Sequence, residues 1–277
     1  MSTFLTVAIP YVNAEPHVGY AYELVEADLV ARGRRECGES VRFLGGTDDH
    51  SLKNVLAAAS AGEPTGDFVA RRGDRFVELA DRLVITFDDF VRTSSDPRHR
   101  PAVERLWRAC DANGDLERRG YEGRYCVGCE QFFEPGDLDG GLCPEHRRPL
   151  ESVAEPNWFF RLSRYEDRLA DLIERSELEI EPAGFRAEVL GLLRGGLHDI
   201  SVSRSVERAR GWGVPVPGDP SQVVAVWFDA LTNYISSLGF GDDGPDYDTW
   251  WRRSDHRIHV VGKGITRFHA VYWPAFL

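Results

Sequence analysis

The sequence predicts an α/β protein in which helices cover both faces of a parallel sheet and a metal-bearing segment interrupts the chain. Apolar strand-like runs alternate with helical patterns from residue 4 to about 113, and this alternation returns after residue 220. Between them, residues 114–155 show no long hydrophobic period and are rich in Gly, aromatic residues, Cys and Pro. The predicted division is 1–113, an insertion over 114–220, and 221–277.

Each element follows from the spacing of its apolar residues. Strands are predicted at 4–9, 41–47, 223–229 and 257–261, with a short extended segment at 85–91. Helices are predicted at 17–37, 52–61, 66–83, 97–112, 163–175, 184–194, 229–238 and 268–277. The segment 196–220 is rich in Gly and Pro, which predicts an irregular connection.

The composition and the sequence pattern argue against three classes of protein. A net charge of −12 is unfavourable for a protein that coats nucleic acid non-specifically. No apolar run approaches the roughly 20 residues of a membrane span, and the N-terminus lacks the pattern of a secretion signal. We therefore expect a cytoplasmic protein with no membrane partner, and we interpret its arginine clusters as solvated faces.

A strand, a tight loop and a helix start follow one another near the N-terminus. The apolar run ends before Pro10, and a helical pattern opens at His17, with Gly19 two residues later. A helix start offers free N–H groups and a positive dipole end, so it suits a phosphate. His17 could donate to a phosphoryl oxygen, and Gly19 could admit a ligand close to the backbone. From this motif alone, an ordinary strand-to-helix turn with an incidental histidine stays open.

Four residues with paired spacing predict a structural zinc site. Cys126 and Cys129 form a C-x-x-C pair, and Cys143 and His146 form a C-x-x-H pair. Together they supply the closed tetrahedral set of three thiolates and one imidazole. Three thiolates exclude magnesium and calcium. A redox-active C-x-x-C is the alternative, but it leaves Cys143 and His146 unexplained.

Polar and aromatic residues follow three of the predicted strands. Because the carboxyl ends of parallel strands meet at one edge of the sheet, these residues could converge on a ligand. They are Ile9, Tyr11, His17 and Gly19 after the first strand, Asp48, Asp49 and His50 after the second, and Gly262, Lys263, Gly264, Ile265 and His269 after the last. Aromatic residues at helical spacing are also typical of a core, and Asp48 alone is typical of a helix N-cap.

Taken in order, these motifs resemble those of the methionyl-tRNA synthetases, a family of class I aminoacyl-tRNA synthetases. The resemblance extends from about Phe4 to the last residue. It is carried by Ile9-Pro-Tyr-Val-Asn-Ala-Glu-Pro-His-Val-Gly19, Gly46-Thr-Asp-Asp-His50, Tyr125-Cys-Val-Gly-Cys129, Cys143-Pro-Glu-His146, Trp212-Gly-Val-Pro215, Val226-Trp-Phe-Asp-Ala230, Gly262-Lys263 and Phe268-His-Ala-Val-Tyr-Trp-Pro274.

The resemblance implies a Rossmann-like, doubly wound parallel sheet with an inserted, zinc-bearing connective-peptide domain. It also implies that the methionine carboxylate attacks the α-phosphate of ATP, bound with magnesium, to give methionyl-adenylate and pyrophosphate. The methionyl group would then pass to tRNA.

The resemblance also assigns roles to individual residues. Asp48 would bind the amino group of methionine. The rest of the methionine pocket would comprise Ile9, Tyr11, Trp227, Ala230, Leu231, Tyr234, Ile265, His269 and Trp273. The ATP-binding residues would be His17, Gly19, Tyr20, Glu23, Gly262 and Gly264, with His17, Tyr20 and Lys263 as catalytic residues.

The chain departs from the family pattern mainly on the nucleotide side. Tyr20 replaces the second histidine of the first signature, Gly264 replaces an acidic residue, and Ser51 replaces a glycine. The family's Lys-Met-Ser-Lys-Ser loop does not occur before Leu277. We therefore expect an intact amino-acid side and a weakened nucleotide side.

Two other functions stay open at this point. One is a paralogue that activates methionine or a related amino acid for an acceptor other than tRNA. The other is a non-catalytic module that binds an amino acid or tRNA. Whatever the function, we expect the strand at 257–261 to be a sheet edge that a homodimer, a partner chain or the terminal segment covers.

Overall fold

The computed structural model describes residues 1–129, 131–133 and 138–277, so that residues 130 and 134–137 of the predicted insertion lie outside the described residues. The chain forms two compact units. The first unit comprises Met1–Arg105, Ala209–Val214 and Phe228–Val261. The second unit comprises Leu106–Arg208, Pro215–Trp227 and Gly262–Leu277.

The described strands and helices alternate along most of the chain. The strands are β1 (Ser2–Val7), β2 (Ser40–Thr47), β3 (Asp89–Arg92), β4 (Leu116–Cys126), β5 (Gln131–Phe133), β6 (Glu151–Phe160), β7 (Ile200–Ser201), β8 (Ser203–Ser205), β9 (Pro215–Val216), β10 (Asp219–Val224) and β11 (His256–Val260). The helices are α1 (Val18–Glu36), α2 (Leu52–Ala61), α3 (Thr65–Arg82), α4 (His99–Ala112), α5 (Glu166–Glu174), α6 (Ala183–Arg194), α7 (Val226–Ser236) and α8 (Trp273–Phe276).

The first unit contains a four-stranded parallel sheet with the order β11-β1-β2-β3. The central strand β1 is almost entirely buried, as a parallel strand covered on both faces requires. One core cluster of this unit joins side chains from the sheet to side chains of α1 and α3, among them Leu5, Phe43, Leu24, Phe68 and Phe76. The parallel sheet and its helices confirm the predicted α/β, Rossmann-like fold.

The strand β11 lies at one end of this sheet. That position agrees with the predicted edge at 257–261. The expectation that a second copy, a partner chain or a terminal segment covers the edge stays a prediction. Within the described residues, no helix combines the length and the apolar character needed to cross a bilayer.

The second unit is built on a long antiparallel hairpin that the sequence analysis did not predict. The strands β4 and β6 pair from Leu116 opposite Phe160 to Tyr125 opposite Glu151, and β5 and β7 extend the sheet. Most described side chains in the middle of both strands are exposed and polar or small. The hairpin therefore rests on ladder hydrogen bonds and leaves little hydrophobic periodicity to detect.

The predicted strand at 223–229 is wrong at its C-terminal end. The strand β10 ends at Val224, and α7 begins at Val226, so Trp227, Phe228 and Asp229 are helical. The reason is that Phe228, Leu231 and Ile235 are all buried at helical spacing. A continuous apolar run does not by itself distinguish a buried strand from a buried helix.

Three other predicted elements also differ from the structure. The extended segment at 85–91 becomes β3 at Asp89–Arg92. The helix at 163–175 divides into a 3₁₀ turn, Leu162–Tyr165, followed by α5. The last helix begins with a widened π-type turn, Phe268–Tyr272, before the short α8.

We predict that Gly46→Ala destabilises the first unit. A Cβ at this position in β2 would lie 2.4 Å from the backbone oxygen of Val91, so β2 and β3 would have to separate. Overpacking of this kind costs about 1–3 kcal/mol. The control is Gly33→Ala on α1, where an added Cβ meets nothing within 4 Å and should stabilise the helix by up to about 1 kcal/mol. Urea unfolding measures both, and equal effects would contradict the packing account.

Candidate functional site

In the first unit, the chain segments that leave β1 and β2 run side by side. The backbone N–H of Asp48 donates to the carbonyl of Pro10 over 2.9 Å, and Asp48 pairs with Tyr11 in an isolated parallel bridge. These contacts continue the sheet ladder past the ends of both strands. Asp48 and Tyr11 therefore lie together at the carboxyl edge of the sheet, where the open sheets of α/β proteins bind ligands.

The Asp48 side chain is buried. Burial raises the pKa of Tyr234, on α7, and the negative charges of Glu23 and Asp48 raise it further, so the phenol is neutral. Ala230 and Leu231, on the same helix, are also buried. The five predicted site residues Glu23, Asp48, Ala230, Leu231 and Tyr234 all belong to the first unit.

Two residues after β2 have roles that the sequence analysis did not identify. The Lys53 ammonium lies 4.6 Å from the centre of the Tyr11 ring, a cation–π contact on one of the predicted pocket residues. Ser51, which replaces a glycine of the family pattern, is the N-cap of α2. Its hydroxyl accepts the N–H of Lys53 over 3.0 Å. The serine therefore stabilises the start of the helix.

His17 is the N-cap of α1, and its ring folds back over the helix start. Nδ1 accepts the backbone N–H of Tyr20 over 3.1 Å, which leaves Nε2 as the nitrogen that can donate. A Cβ at Gly19 would lie 3.0 Å from His17 Nδ1, so the glycine makes room for this ring. Both residues are exposed.

Tyr20 is placed differently from what the signature suggested. Its ring is buried in the core cluster and packs edge-on against Phe76 at a centroid distance of 5.4 Å. Burial, reinforced by the charge of Glu23, raises the pKa of the phenol. Within the described part of the chain the hydroxyl has no hydrogen-bond partner. This location supports a packing role for Tyr20, and its predicted role toward ATP finds no support here.

In the second unit, Trp227 lies in an aromatic stack next to the cysteine cluster. Its ring is parallel to that of Phe268, with 3.6 Å between the centroids and 5° between the planes. Its Nε1–H donates to the carbonyl of Cys129 over 3.3 Å. The position of Trp227, a predicted pocket residue, is therefore linked to the loop that carries Cys129.

His269 is a buried, neutral histidine. Its Nδ1–H donates to the carbonyl of Ile265 over 3.0 Å. Burial lowers its pKa to about 4, and the hydrogen bond opposes this shift only in part. Trp273, one turn further on, is buried as well, while Ile265 is partly buried. The three residues follow one another at the predicted spacing.

The glycines and lysine after β11 are exposed. Lys263 Nζ lies 3.3 Å from a carboxylate oxygen of Glu188 and 5.5 Å from the centre of the Phe185 ring, both on α6. Exposed ion pairs of this kind are weak, so the lysine can exchange partners at little cost. A Cβ at Gly264 would meet nothing within 4 Å.

The four predicted metal ligands converge in the second unit. One ligand atom from each of Cys126, Cys129, Cys143 and His146 lies within 4.8 Å of every other. Cys129 Sγ is 3.5 Å from Cys143 Sγ and 3.2 Å from His146 Nδ1. The N–H groups of Cys129 and His146 also point at the first sulfur of their own pair, as in a metal knuckle. Such a donor set can hold a tetrahedral, thiophilic ion.

A second cluster of ligand-type side chains lies in the first unit. Asp229, on α7, accepts hydrogen bonds from His50 Nδ1 at 2.8 Å and from His99 Nε2 at 3.1 Å. Burial alone would raise the pKa of Asp229, but the charges and hydrogen bonds of the two histidines lower it well below its usual range. Burial lowers the pKa of His50, and the Asp229 charge more than offsets this, so the net shift is upward.

These three residues could also hold a metal ion, but the nitrogen–oxygen distances are those of direct hydrogen bonds. The sequence analysis assigns no role to His50 or Asp229, although both lie in motifs that carry the family resemblance, and it does not mention His99. Nothing local in the sequence links the three positions.

We predict that His269 makes the stability of the chain fall in weak acid. Its folded pKa lies below the roughly 6.5 of an unfolded histidine, so the unfolded chain binds more protons between about pH 4 and 6.5. This residue alone should therefore remove up to about 3 kcal/mol of stability by pH 4. Urea unfolding of the wild type and His269→Gln between pH 7 and 4 measures the effect. If the free energy of unfolding falls equally with pH in the wild type and in His269→Gln, a buried neutral histidine is contradicted.

Comparisons with known proteins identify the family. The family model described as tRNA synthetases class I (M) matches residues 3–153 and 148–277. The methionine–tRNA ligase of Thermotoga maritima is 41% identical over 281 residues, which cover 100% of this chain and 44% of that protein. The corresponding ligase of Mycobacterium tuberculosis strain CDC 1551 is 44% identical over 279 residues, covering 99% of this chain and 52% of the ligase.

Solved structures agree with these sequences. The crystal structure of Mycobacterium tuberculosis methionyl-tRNA synthetase bound by methionyl-adenylate superposes with a TM-score of 0.93 and 43% identity. The match covers 100% of this chain and 55% of that one. The chain thus spans about half the length of the curated relatives it matches. By the family model and by these relatives, this chain belongs to the methionyl-tRNA synthetase family of class I aminoacyl-tRNA synthetases.

Proposed function

We propose that the chain binds methionine and ATP and joins them as methionyl-adenylate, the first step of methionyl-tRNA synthesis. A carboxylate oxygen of methionine attacks the α-phosphorus of ATP, and the bond from this phosphorus to the bridging oxygen breaks. Pyrophosphate leaves with the electron pair. The observation that supports this proposal is the parallel bridge between Tyr11 and Asp48 at the carboxyl edge of the parallel sheet.

The amino-acid side of the proposed site is chemically suited to methionine. The buried carboxylate of Asp48 would form a charge-assisted hydrogen bond with the ammonium group of methionine. The aromatic rings of Tyr11 and Tyr234 would contact the polarizable thioether. The relative bound to methionyl-adenylate supports the same substrate class.

The nucleotide side would begin at the start of α1. The exposed Nε2–H of His17 and the free N–H groups of the helix start would bind phosphoryl oxygens of ATP, which carries magnesium as part of the substrate. The family resemblance implies that Gly262, Lys263 and Gly264 also serve ATP. None of these residues forms a covalent bond to substrate. Catalysis would depend on positioning and on electrostatic stabilisation of the leaving pyrophosphate.

We further propose that the cysteine cluster holds a structural zinc ion within a connective-peptide insertion over 114–220. Three thiolates and one imidazole fill all four positions of a tetrahedral ion, so the metal would carry no reactive water. Its contribution would be to cross-link the loop after β4 to the segment 143–146. Transfer of the methionyl group to tRNA belongs to the same proposal. Within the described residues, no observation favours a different acceptor or a purely binding role.

We predict opposite effects from two substitutions on the two sides of the site. Asp48→Asn should weaken methionine binding by about tenfold or more, because the ammonium loses a charged partner. Gly264→Asp restores the acidic residue of the family pattern at a position with open space, and should strengthen ATP binding several-fold. Calorimetry with each substrate and methionine-dependent exchange of pyrophosphate into ATP are the measurements.

Each variant is the control for the other, since Asp48→Asn should leave ATP affinity unchanged and Gly264→Asp should leave methionine affinity unchanged. A wild-type chain that binds ATP but shows no affinity for methionine would contradict the proposed function.

We predict that the purified chain carries one zinc ion per molecule and loses it in Cys143→Ser. Removal of one thiolate opens the tetrahedral set, and structural zinc sites lose folding free energy when the metal is lost. Elemental analysis and thermal unfolding with and without chelator measure this. Cys37→Ser, at an exposed cysteine outside the cluster, is the control and should retain the metal. Full retention of zinc by Cys143→Ser would contradict the assignment.

A further inference from the structure

Asp229 is a buried carboxylate that holds together three separate elements of the first unit. It lies in the first turn of α7, His50 follows β2, and His99 is the first residue of α4. Asp229 and His99 are fully buried, and the His50 side chain is 11% exposed. An isolated charge at this depth is strongly destabilised, so the two hydrogen bonds are required to keep the carboxylate ionised.

The pattern of donors and acceptors fixes which nitrogens carry protons. An ionised carboxylate only accepts, so His50 Nδ1–H and His99 Nε2–H both donate to it. The other ring nitrogen of His99, Nδ1, lies 3.1 Å from the hydroxyl oxygen of Ser236, which is two turns after Asp229 on α7. His99 therefore contacts two turns of the same helix. This helix is thereby fixed against α4.

The loop that carries Asp48 is fixed to α7 by the same carboxylate. His50 is two residues after Asp48, and Asp229 immediately precedes Ala230 in α7. The other side of the His50 ring packs edge-on against Trp212, with 5.7 Å between the ring centroids. The indole N–H of Trp212 donates to the carbonyl of Asp49 over 2.7 Å. The loop is thus held by Asp229 of α7 and by the indole of Trp212.

We propose that Asp229 is a positioning residue for the amino-acid substrate: through His50 it holds the Asp48 carboxylate where the α-amino group of methionine binds. This inference rests on the proposed function, since it takes Asp48 as the partner of the amino group. It assigns the Asp229–His50–His99 cluster to recognition of the amino group, while the apolar pocket recognises the thioether. Loss of the cluster should therefore affect affinity for the amino group more than affinity for the side chain.

The test compares methionine with its des-amino analogue, 4-(methylsulfanyl)butanoate, by calorimetry on the full chain. His50→Leu removes the donor to Asp229 and should weaken methionine binding by about tenfold while leaving analogue binding nearly unchanged. His50→Asn keeps an N–H donor at the place of Nδ1 and should restore most of the discrimination. The control is Thr232→Val, which removes a buried hydroxyl that donates to the carbonyl of Phe228 on α7. It should not alter the ratio of the affinities for methionine and for the analogue.

Equal weakening of both ligands by His50→Leu, or no weakening of either, would overturn the inference while leaving the proposed function intact. A wild-type chain that binds neither ligand would contradict the proposed function instead. In that case hydrogen exchange decides the positioning claim. The amides of residues 48–54 should exchange about tenfold faster in His50→Leu and at the wild-type rate in His50→Asn, and unchanged rates in both would overturn it.

Discussion

The first unit depends on the pairing of β1 on both of its sides. Leu5 lies opposite Phe43 of β2 on one side and opposite Ile258 of β11 on the other, so the centre of the sheet joins the two ends of the chain. The ladder continues beyond the strands, where Ala8 donates to the carbonyl of Val260 and Asp48 donates to that of Pro10. Because these strands are parallel, the loops that follow them emerge at one edge, and the backbone of Asp48 is placed before any ligand arrives.

Several buried polar groups at this edge are hydrogen-bonded to one another. Asp49 accepts the Ser94 hydroxyl, and the side-chain amide of Asn54 donates to the carbonyls of Asp48 and Asp49. Asp229 adds a charged, hydrogen-bonded group. Burying such groups costs free energy, and their hydrogen bonds offset part of this cost. The affinity for the ligand gains, because a carboxylate that is already positioned loses no conformational entropy when the ammonium group binds.

Much of the first unit could be predicted because its core elements have strong local patterns. The bounds of β2, α1, α2 and α3 lie within two residues of their predictions, and the paired spacing of Cys126, Cys129, Cys143 and His146 located the metal cluster. The rest depends on tertiary contacts. Nothing local reveals that Tyr20 is buried against Phe76, or that His50 and His99 share the Asp229 carboxylate. The pairing of β4 with β6 could not be predicted because the exposed side chains of these strands show no hydrophobic period. The start of α7 is predicted as a strand because its residues form one apolar run with those of β10.

The central claim is that the carboxyl edge of the parallel sheet binds the amino group of methionine through a carboxylate that is already in place. A crystal structure of this chain grown with methionine tests it most directly. We expect the methionine nitrogen within hydrogen-bonding distance of the Asp48 carboxylate, with the His50–Asp229 hydrogen bond unchanged from 2.8 Å. Methionine bound elsewhere, or an Asp48 carboxylate that changes position when methionine binds, would contradict this account.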